Sequence, residues 1–261
     1  MNQLEEQPSD TALLRVDGIG KRFGGVVALD KVDLAVAPGE ICGVIGPNGA
    51  GKTTLFDVIS GITPPSQGRV IIDGTDVTSM SSTHRARRGL RRTFQRVQTY
   101  GWLTVEDNIL CAMEWRGGGG GLLGDLVGLR SRRRIELKRR ERVAEVLEWC
   151  GLQDVRTSLA GSLPLGRARV LELARAVADR PSLLLLDEPA SGLDQGEAER
   201  FGELITRLCG EGCALLLVEH NVGFVMRMCD RVIVLNLGAV LAEGLPAEIR
   251  EDRAVRDAYL G

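Results

Sequence analysis

The stretch that decides the fold is Gly46-Pro47-Asn48-Gly49-Ala50-Gly51-Lys52-Thr53. It fits the pattern G-x-x-x-x-G-K-[ST] and lies between a short apolar run at 41–45 and a helical pattern at 53–60. The glycines allow successive main-chain N–H groups to turn inward around an anion, and the helix that follows adds its positive end. We therefore expect a nucleoside triphosphate to bind here. The predicted contacts are Gly46, Pro47, Asn48, Gly49, Ala50, Gly51, Lys52, Thr53 and Thr54.

Two of these side chains have specific predicted roles. Lys52 is expected to neutralise the β- and γ-phosphates, and Thr53 to place its hydroxyl on a Mg²⁺ ion that accompanies the nucleotide. A glycine-rich turn that matches the pattern by chance is the alternative. The strand before the loop and the helix after it argue against that alternative.

The apolar runs indicate the fold class. The runs 183–186, 214–218 and 231–235 each follow a helical stretch, and this alternation is typical of an open parallel sheet. Near the N-terminus, 13–16 and 32–36 alternate apolar and polar positions, as half-buried strands do. The sequence therefore predicts an α/β core, which a mainly helical insertion interrupts.

Polar residues follow two of the predicted buried strands. Asp187 and Glu188 come directly after the run 183–186, at the strand end where parallel sheets collect their ligands. Asp187 suits the Mg²⁺ shell, and Glu188 is expected to polarise the attacking water. His220 follows the next apolar run and is expected to contact the γ-phosphate and hold the water in register. An acidic pair alone is usually a solvated strand end and a lone histidine is usually structural, but the phosphate loop upstream favours the functional interpretation.

Composition narrows the classes of protein and partner. The 261 residues carry 33 basic and 35 acidic side chains, so the chain as a whole lacks the excess of positive charge that is typical of nucleic-acid-binding proteins. The six cysteines show no CxxC pair and are expected to be reduced thiols. Residues 1–10 are acidic and polar, which does not fit a secretory signal. No apolar run approaches the roughly 18 residues of a membrane helix, so membrane association is expected through a partner.

Together these residues resemble the ATP-binding subunits of ABC transporters over nearly the whole chain. Arg92-Thr93-Phe94-Gln95 looks like the Q-loop, Leu163-Pro164-Leu165-Gly166-Arg167 falls where the signature motif belongs, and Ser191-Gly192-Leu193-Asp194 looks like the D-loop. Phe23 occupies the position of the aromatic residue that stacks on adenine, although it would be equally ordinary as a core aromatic.

The resemblance implies a P-loop NTPase cassette in one ATP-binding domain, residues 1–261. A RecA-like parallel-sheet core with an N-terminal antiparallel β-subdomain is expected at 1–96 and 165–261, and the inserted helical subdomain at 97–164. The implied activity is ATP hydrolysis coupled to transport, with ATP and Mg²⁺ as cofactors. Gln95 is implied to touch the Mg²⁺ site, to take part in catalysis and to link the site to a membrane partner.

Finer features resemble the branched-chain amino acid type of these subunits. They are the Arg-Thr-Phe-Gln block, the insertion with its glycine run at 117–121, the segment 218–226 and the ending 239–261. Because similar subunits move urea, short amides or other small acids, those cargoes stay open. A soluble ABC ATPase of the cluster-assembly type is a further alternative, whereas a sensor without turnover conflicts with Glu188 and His220.

The resemblance also implies partners and a place in the cell. They are a homologous ATP-binding subunit, permease subunits that contact 97–164, and an extracytoplasmic substrate-binding protein reached indirectly, all at the cytoplasmic face of the membrane. The basic segment 130–142 is expected to be a solvated helix face or to contact anionic lipid headgroups. The glycine run is expected to be a flexible surface loop.

One motif departs from the family. The usual signature is Leu-Ser-Gly-Gly-Gln, and it closes over ATP held by the other subunit, whereas here Pro164 has neither the hydroxyl nor an N–H. Proline suits a first helical turn, Gly166 remains as the predicted nucleotide contact, and Arg167 adds positive charge. We therefore expect a heterodimer in which the partner has a regular signature, while a homodimer stays open.

Overall fold

The computed structural model describes residues 12–113 and 129–260, without the side chains of 129–133 and 259–260. The predictions about residues 1–10 and 117–121 fall outside this part of the chain. The described chain forms two compact units, Met1–Gln95 with Ser182–Gly261 as unit 1 and Arg96–Pro181 as unit 2.

The strands are β1 Leu14–Phe23, β2 Val26–Val36, β3 Ile41–Ile45, β4 Gln67–Ile72, β5 Thr75–Asp76, β6 Leu90–Arg92, β7 Leu183–Asp187, β8 Ala214–Val218, β9 Arg231–Asn236 and β10 Ala239–Gly244. The α-helices are α1 Lys52–Ser60, α2 Ser82–Arg87, α3 Val105–Met113, α4 Leu129–Cys150, α5 Leu165–Val177, α6 Gln195–Gly210, α7 Val222–Met228, α8 Pro246–Glu251 and α9 Arg253–Leu260. Short 3₁₀ turns occupy Gln153–Val155 and Ala160–Ser162.

Unit 1 contains two sheets. The first has the order β2-β1-β4-β5 and is antiparallel throughout. The second has the order β10-β9-β3-β8-β7-β6, and it is parallel from β9 to β6, with only β10 antiparallel at the edge. The predicted antiparallel subdomain and parallel core are therefore both confirmed.

The parallel sheet brings the predicted site residues to one edge. Strands β3, β7 and β8 are buried over their whole length, as their unbroken apolar sequences require of strands covered on both faces. Val44 and Asp187 both pair with Val218 in the ladder, so β3, β7 and β8 end level with one another. The phosphate loop follows β3, the acidic pair lies at the end of β7, and His220 follows β8.

Helix α1 is anchored at the end that lies away from the phosphate loop. Arg85 is fully buried and donates hydrogen bonds to the carbonyls of Val58 at 2.6 Å and Ile59 at 2.7 Å, close to the C-terminus of the helix. It also donates to the carbonyls of Thr78 and Met80. Burial lowers the pKa of Arg85 to about 10, so the guanidinium stays charged at neutral pH and offsets the negative end of the helix dipole.

Unit 2 is mainly helical, with α3, α4 and α5 packed on one another. Helix α5 packs on α3 and α4, and its contacts group it with unit 2. The helical subdomain predicted from the sequence is 97–164 and does not include α5. The boundary at residue 164 stays a prediction. Buried Asn108 donates to the carbonyls of Tyr100 and Thr104, each at 3.0 Å, and so shapes the turn before α3. Within 12–113 and 129–260, no helix has both the length and the apolar character needed to cross a membrane.

The basic segment lies on α4, and part of its charge is paired. Arg140 lies 3.0 Å from Glu136, and Arg142 lies 3.0 Å from Glu145. Arg142 also donates to the carbonyls of Val177 and Ala178 at the end of α5. This residue therefore serves helix packing, while Arg134 and Lys138 remain exposed to solvent.

Candidate nucleotide site

The phosphate loop follows a path that excludes side chains at two glycines. A Cβ atom on Gly46 would lie 2.2 Å from the carbonyl oxygen of Leu235, and one on Gly51 would lie 2.6 Å from that of Ala28. Gly51 also has φ of 105°, in the left-handed region that favours glycine. The loop is thus confined between β2 and β9, and its pattern of glycines follows from this confinement.

A second main-chain segment fixes the loop from outside. Gly238, in the β9–β10 turn, donates its N–H to the carbonyl of Ala50 at 3.0 Å and accepts a hydrogen bond from Asp30 N at 2.8 Å. Ala50 N donates to Pro47 O within the loop. Together these bonds hold the shape of the loop.

The side chain of Lys52 is held at the loop. Its Nζ donates to the carbonyls of Gly46 at 2.6 Å and Pro47 at 3.0 Å. Burial lowers the pKa of Lys52, while the carboxylates of Glu188 and Asp187 raise it. The ammonium group is therefore surrounded by oxygen atoms and is already positioned for a phosphate. Thr53 is exposed in the first turn of α1, and Thr54 is half-buried beside it.

The three predicted catalytic residues lie together. Gln95 Nε2 donates to Glu188 Oε2 at 2.9 Å, and His220 Nε2 lies 2.8 Å from Glu188 Oε1. Glu188 has φ of 49° and its side chain is only 14% exposed, so the turn after β7 presents the carboxylate inside the site. Both oxygens of this carboxylate are thereby oriented by groups from two other loops.

Asp187 is buried at the end of β7, and burial raises its pKa, whereas the guanidinium of Arg92 lowers it. Arg92 Nη2 donates to Asp187 Oδ2 at 3.1 Å, and Nη1 donates to Asp57 Oδ1 on α1 at 2.6 Å. The sequence analysis used Arg92 only as part of the Q-loop block and missed this contact. No local pattern indicates this contact, because Arg92 and Asp187 are distant in sequence.

Glu219 is a second residue that the sequence analysis missed. Its side chain is buried, and it accepts hydrogen bonds from Ala190 N at 2.7 Å, His220 N at 3.0 Å and Asn221 N at 3.3 Å. Burial raises the pKa of Glu219, and the three main-chain donors lower it. One carboxylate therefore joins the turn after the acidic pair to the turn that carries His220. Its position directly after a buried strand is the same signal that identified Asp187.

The D-loop residues lead into α6. Asp194 caps this helix, accepting a hydrogen bond from Glu197 N at 2.8 Å, while Glu197 accepts one from Asp194 N at 3.1 Å. Ser191 N donates to Glu188 O at 3.1 Å, so the segment is tied directly to the acidic pair.

Phe23 lies at the end of β1, about half exposed, with Lys21 Nζ 4.9 Å from its ring centroid. A half-exposed ring leaves a face available for stacking, and it is not a core aromatic. Unit 1 thus carries every predicted site residue except Gly166.

The signature segment lies in unit 2. Pro164 immediately precedes α5 and its carbonyl accepts a hydrogen bond from Ala168 N at 3.0 Å, while Gly166 is buried in the first turn. Arg167 donates through Nη1 and Nη2 to both carboxylate oxygens of Asp154, at 2.9 and 3.0 Å. The positive charge that Arg167 adds to the motif is therefore paired with a carboxylate of the same unit.

Comparison with known proteins agrees with this geometry. The family described as ABC transporter matches residues 29–191, and the family described as branched-chain amino acid ATP-binding cassette transporter matches residues 239–261.

Two curated relatives and one solved structure are similar along almost their whole length. The chain is 38% identical to the high-affinity branched-chain amino acid transport ATP-binding protein BraF of Pseudomonas aeruginosa, and 39% identical to LivG, which has the same description, of Escherichia coli K12. Each alignment covers 95% of this chain and 98% of the relative. The ADP conformation of MJ1267, an ATP-binding cassette of an ABC transporter, superposes with a TM-score of 0.84 at 30% identity, over 96% of this chain and 99% of that one.

The contacts of Glu219 lead to a prediction. Glutamine at this position keeps one acceptor oxygen and adds an NH₂ group that faces main-chain N–H donors. We expect Glu219→Gln to lower kcat for ATP hydrolysis by at least about tenfold with little change in KM, because His220 and the turn at Ala190 lose their common support. We also expect a loss of about 1–3 kcal/mol in the free energy of unfolding.

Steady-state kinetics of the complex purified with its partner subunit and urea unfolding of the purified chain measure the two effects. The matched control is Glu203→Gln, at an exposed position on α6, which is expected to change neither. A Glu219→Gln variant with the kcat of the wild type would show that this carboxylate does not position the site.

Proposed function

The chain belongs to the ABC transporter family of ATP-binding proteins, and we propose that it is the ATP-hydrolysing subunit of an importer for branched-chain amino acids. The observation that carries the ATPase role is the cluster of Gln95, Glu188 and His220 beside a preformed phosphate loop. The cargo is supported by the descriptions of BraF and LivG and by the match at 239–261.

ATP binding follows from the fixed loop and its cation. We expect main-chain N–H groups within 46–54 to contact the phosphates, except at Pro47, which has no N–H, and at Ala50, whose N–H donates to Pro47 O. The positive end of α1 would point at the phosphates. Lys52, already oriented by the carbonyls of Gly46 and Pro47, exchanges these partners for phosphate oxygens. The exposed ring of Phe23 offers a stacking face for the adenine.

The residues beside the loop fit a Mg²⁺ ion that accompanies the nucleotide. Thr53, Asp187 and Gln95 supply a hydroxyl, a carboxylate and an amide oxygen, and Mg²⁺ prefers oxygen ligands of this kind, completed by substrate phosphates and water. Within the described chain no three His, Cys, Asp or Glu residues form a metal cage, which suits an ion bound jointly by protein and nucleotide. When bound, the ion would neutralise charge on the β- and γ-phosphates.

Hydrolysis needs a water molecule held in line with the γ-phosphate. Glu188 accepts a hydrogen bond from this water and polarises it. Gln95 and His220, which hold the two carboxylate oxygens, keep Glu188 aimed at the water. We expect His220 and Lys52 to contact the γ-phosphate, where negative charge develops. Catalysis therefore rests on positioning and charge neutralisation rather than on covalent chemistry.

Transport requires a membrane permease, which we propose to contact the region 97–164 at the cytoplasmic face of the membrane. Just after Gln95, Trp102 is 75% exposed and pairs with Tyr100 at 5.9 Å between ring centroids. Exposed aromatic residues are typical of contact surfaces. An extracytoplasmic binding protein would deliver the cargo to the permease. The alternative, an importer for urea, amides or small acids, would use the same motor with another permease.

The signature segment supports a heterodimer. In the proposed head-to-tail pair, Gly166 and the start of α5 of this chain close over ATP on the partner. Pro164 offers no N–H or hydroxyl there, and Arg167 is engaged by Asp154. The ATP bound to 46–54 of this chain would instead meet the partner's signature. We therefore propose that the latter site hydrolyses ATP faster.

The transport role is tested by uptake of radiolabelled leucine in cells that lack the chromosomal gene. We expect the wild-type chain to restore uptake and Glu188→Gln to restore none, although Glu188→Gln still binds ATP because the phosphate loop is unchanged. Normal leucine, isoleucine and valine uptake in the deletion strain would contradict the proposed cargo. ATPase activity of the complex purified with its partner subunit would then separate a wrong cargo from a wrong motor assignment.

The heterodimer is tested in the purified complex by placing the Glu-to-Gln change in one subunit at a time. We expect Glu188→Gln in this chain to remove most of the ATPase activity, and the matching change in the partner to remove much less. Equal losses, or a complex with two copies of this chain, would contradict the asymmetry.

A further inference from the structure

The guanidinium of Arg92 joins two carboxylates from different elements. It lies at the end of β6 with its side chain 6% exposed, and it contacts Asp57 on α1 at 2.6 Å and Asp187 at the end of β7 at 3.1 Å. Nη1 also donates to Ser60 Oγ at 3.1 Å. The two ends of the guanidinium are thus used differently: Nη1 holds it to α1, and Nη2 holds the carboxylate at the metal position.

Two aromatic rings stabilise the orientation of this guanidinium. Its central carbon lies 5.5 Å from the ring centroid of Phe56 on α1 and 5.1 Å from that of Phe94 in the Q-loop. Cation–π contacts of this length favour a guanidinium over a plain ammonium, since the planar group can also stack. The guanidinium of Arg92 is therefore held by hydrogen bonds from its two terminal nitrogens and by contacts with two aromatic rings.

The contact with Arg92 uses one oxygen of Asp187. Oδ2 accepts the hydrogen bond from Nη2, whereas Oδ1 accepts none from the residues the structure describes. A carboxylate with one oxygen fixed in this way presents the other in a single direction. The element that sets this direction, α1, also carries Thr53.

We propose that Arg92 is the positioning residue that orients Asp187 toward Mg²⁺ and keeps it in register with Thr53 of the phosphate-loop helix. The inference rests on the proposed binding of Mg²⁺ with the nucleotide and does not depend on the cargo. It gives a physical role to the arginine of the Arg-Thr-Phe-Gln block. Because β6 leads directly to Gln95, the same residue couples the position of the Q-loop to that of the metal ligand.

The role needs the forked shape of arginine and not only its charge. A lysine ammonium cannot reach Asp57 and Asp187 together with two separate donors in a fixed plane. Arg92→Lys keeps the charge and loses the fork, and Arg92→Met loses both. Asp57→Asn keeps an acceptor oxygen for Nη1 and leaves the contact with Asp187 intact, so it serves as the matched control.

The readout is the affinity of the purified full chain for a fluorescent ATP analogue, measured with and without Mg²⁺, together with direct titration by Mn²⁺ in electron paramagnetic resonance. For Arg92→Lys and Arg92→Met we expect the metal-free affinity to stay within about twofold of the wild type. The gain in affinity that the metal confers is expected to fall by about tenfold or more, the usual effect of removing a partner of a metal ligand. Asp57→Asn is expected to retain that gain.

Three results would overturn the proposal. The first is an Arg92→Lys variant that gains as much ATP affinity from the metal as the wild type. The second is an equal loss of this gain in Asp57→Asn, which would mean that Arg92 only joins β6 to α1. The third is a loss of metal-free affinity as large as the metal-dependent loss. Should Arg92→Met fail to fold, Arg92→Lys decides alone. A wild-type chain that gains no affinity from Mg²⁺ would instead contradict the proposed function.

Discussion

The structure depends on one constraint: at two positions of the phosphate loop, neighbouring main-chain atoms leave no room for a Cβ atom. Gly46 and Gly51 meet this constraint because carbonyl oxygens of β9 and β2 lie where their Cβ atoms would be. The hydrogen bond from Gly238 to Ala50 then holds the loop from outside. The antiparallel sheet and the hairpin β9–β10 thus act as the rigid frame of the phosphate loop.

The parallel sheet supplies the other half of the site by placing charges where they are only partly solvated. Asp187 and Glu219 are buried at the ends of neighbouring strands; Arg92 donates a hydrogen bond to Asp187, and three main-chain N–H groups donate to Glu219. Partner groups on other loops make these carboxylates structural links as well as charges. In the proposed mechanism, movement of the Q-loop or of the turn at His220 would therefore shift the residues proposed to bind Mg²⁺ and to orient water.

The sequence predicted those parts of the molecule that follow from local pattern. Glycine spacing identified the phosphate loop, unbroken apolar runs identified β3, β7 and β8, and the residues after them identified Glu188 and His220. It did not predict the partners of Arg92 or Glu219, because these contacts join residues that are distant in sequence, such as Arg92 and Asp187. The sequence also suggested that Arg167 adds positive charge to the signature segment. In the structure Arg167 forms an ion pair with Asp154, a contact that the spacing of residues cannot reveal.

The central claim is that the main-chain amides of the loop together with the Lys52 ammonium group bind the triphosphate beside an acid that orients water. The most direct measurement compares ATP affinity and turnover of Lys52→Ala with the wild type under identical conditions. The account predicts that both fall by about tenfold or more, because a buried cation that Asp187 and Glu188 favour would no longer neutralise the phosphates. Undiminished affinity and turnover in a folded Lys52→Ala chain would contradict it, and the proposed transport role would fall with it.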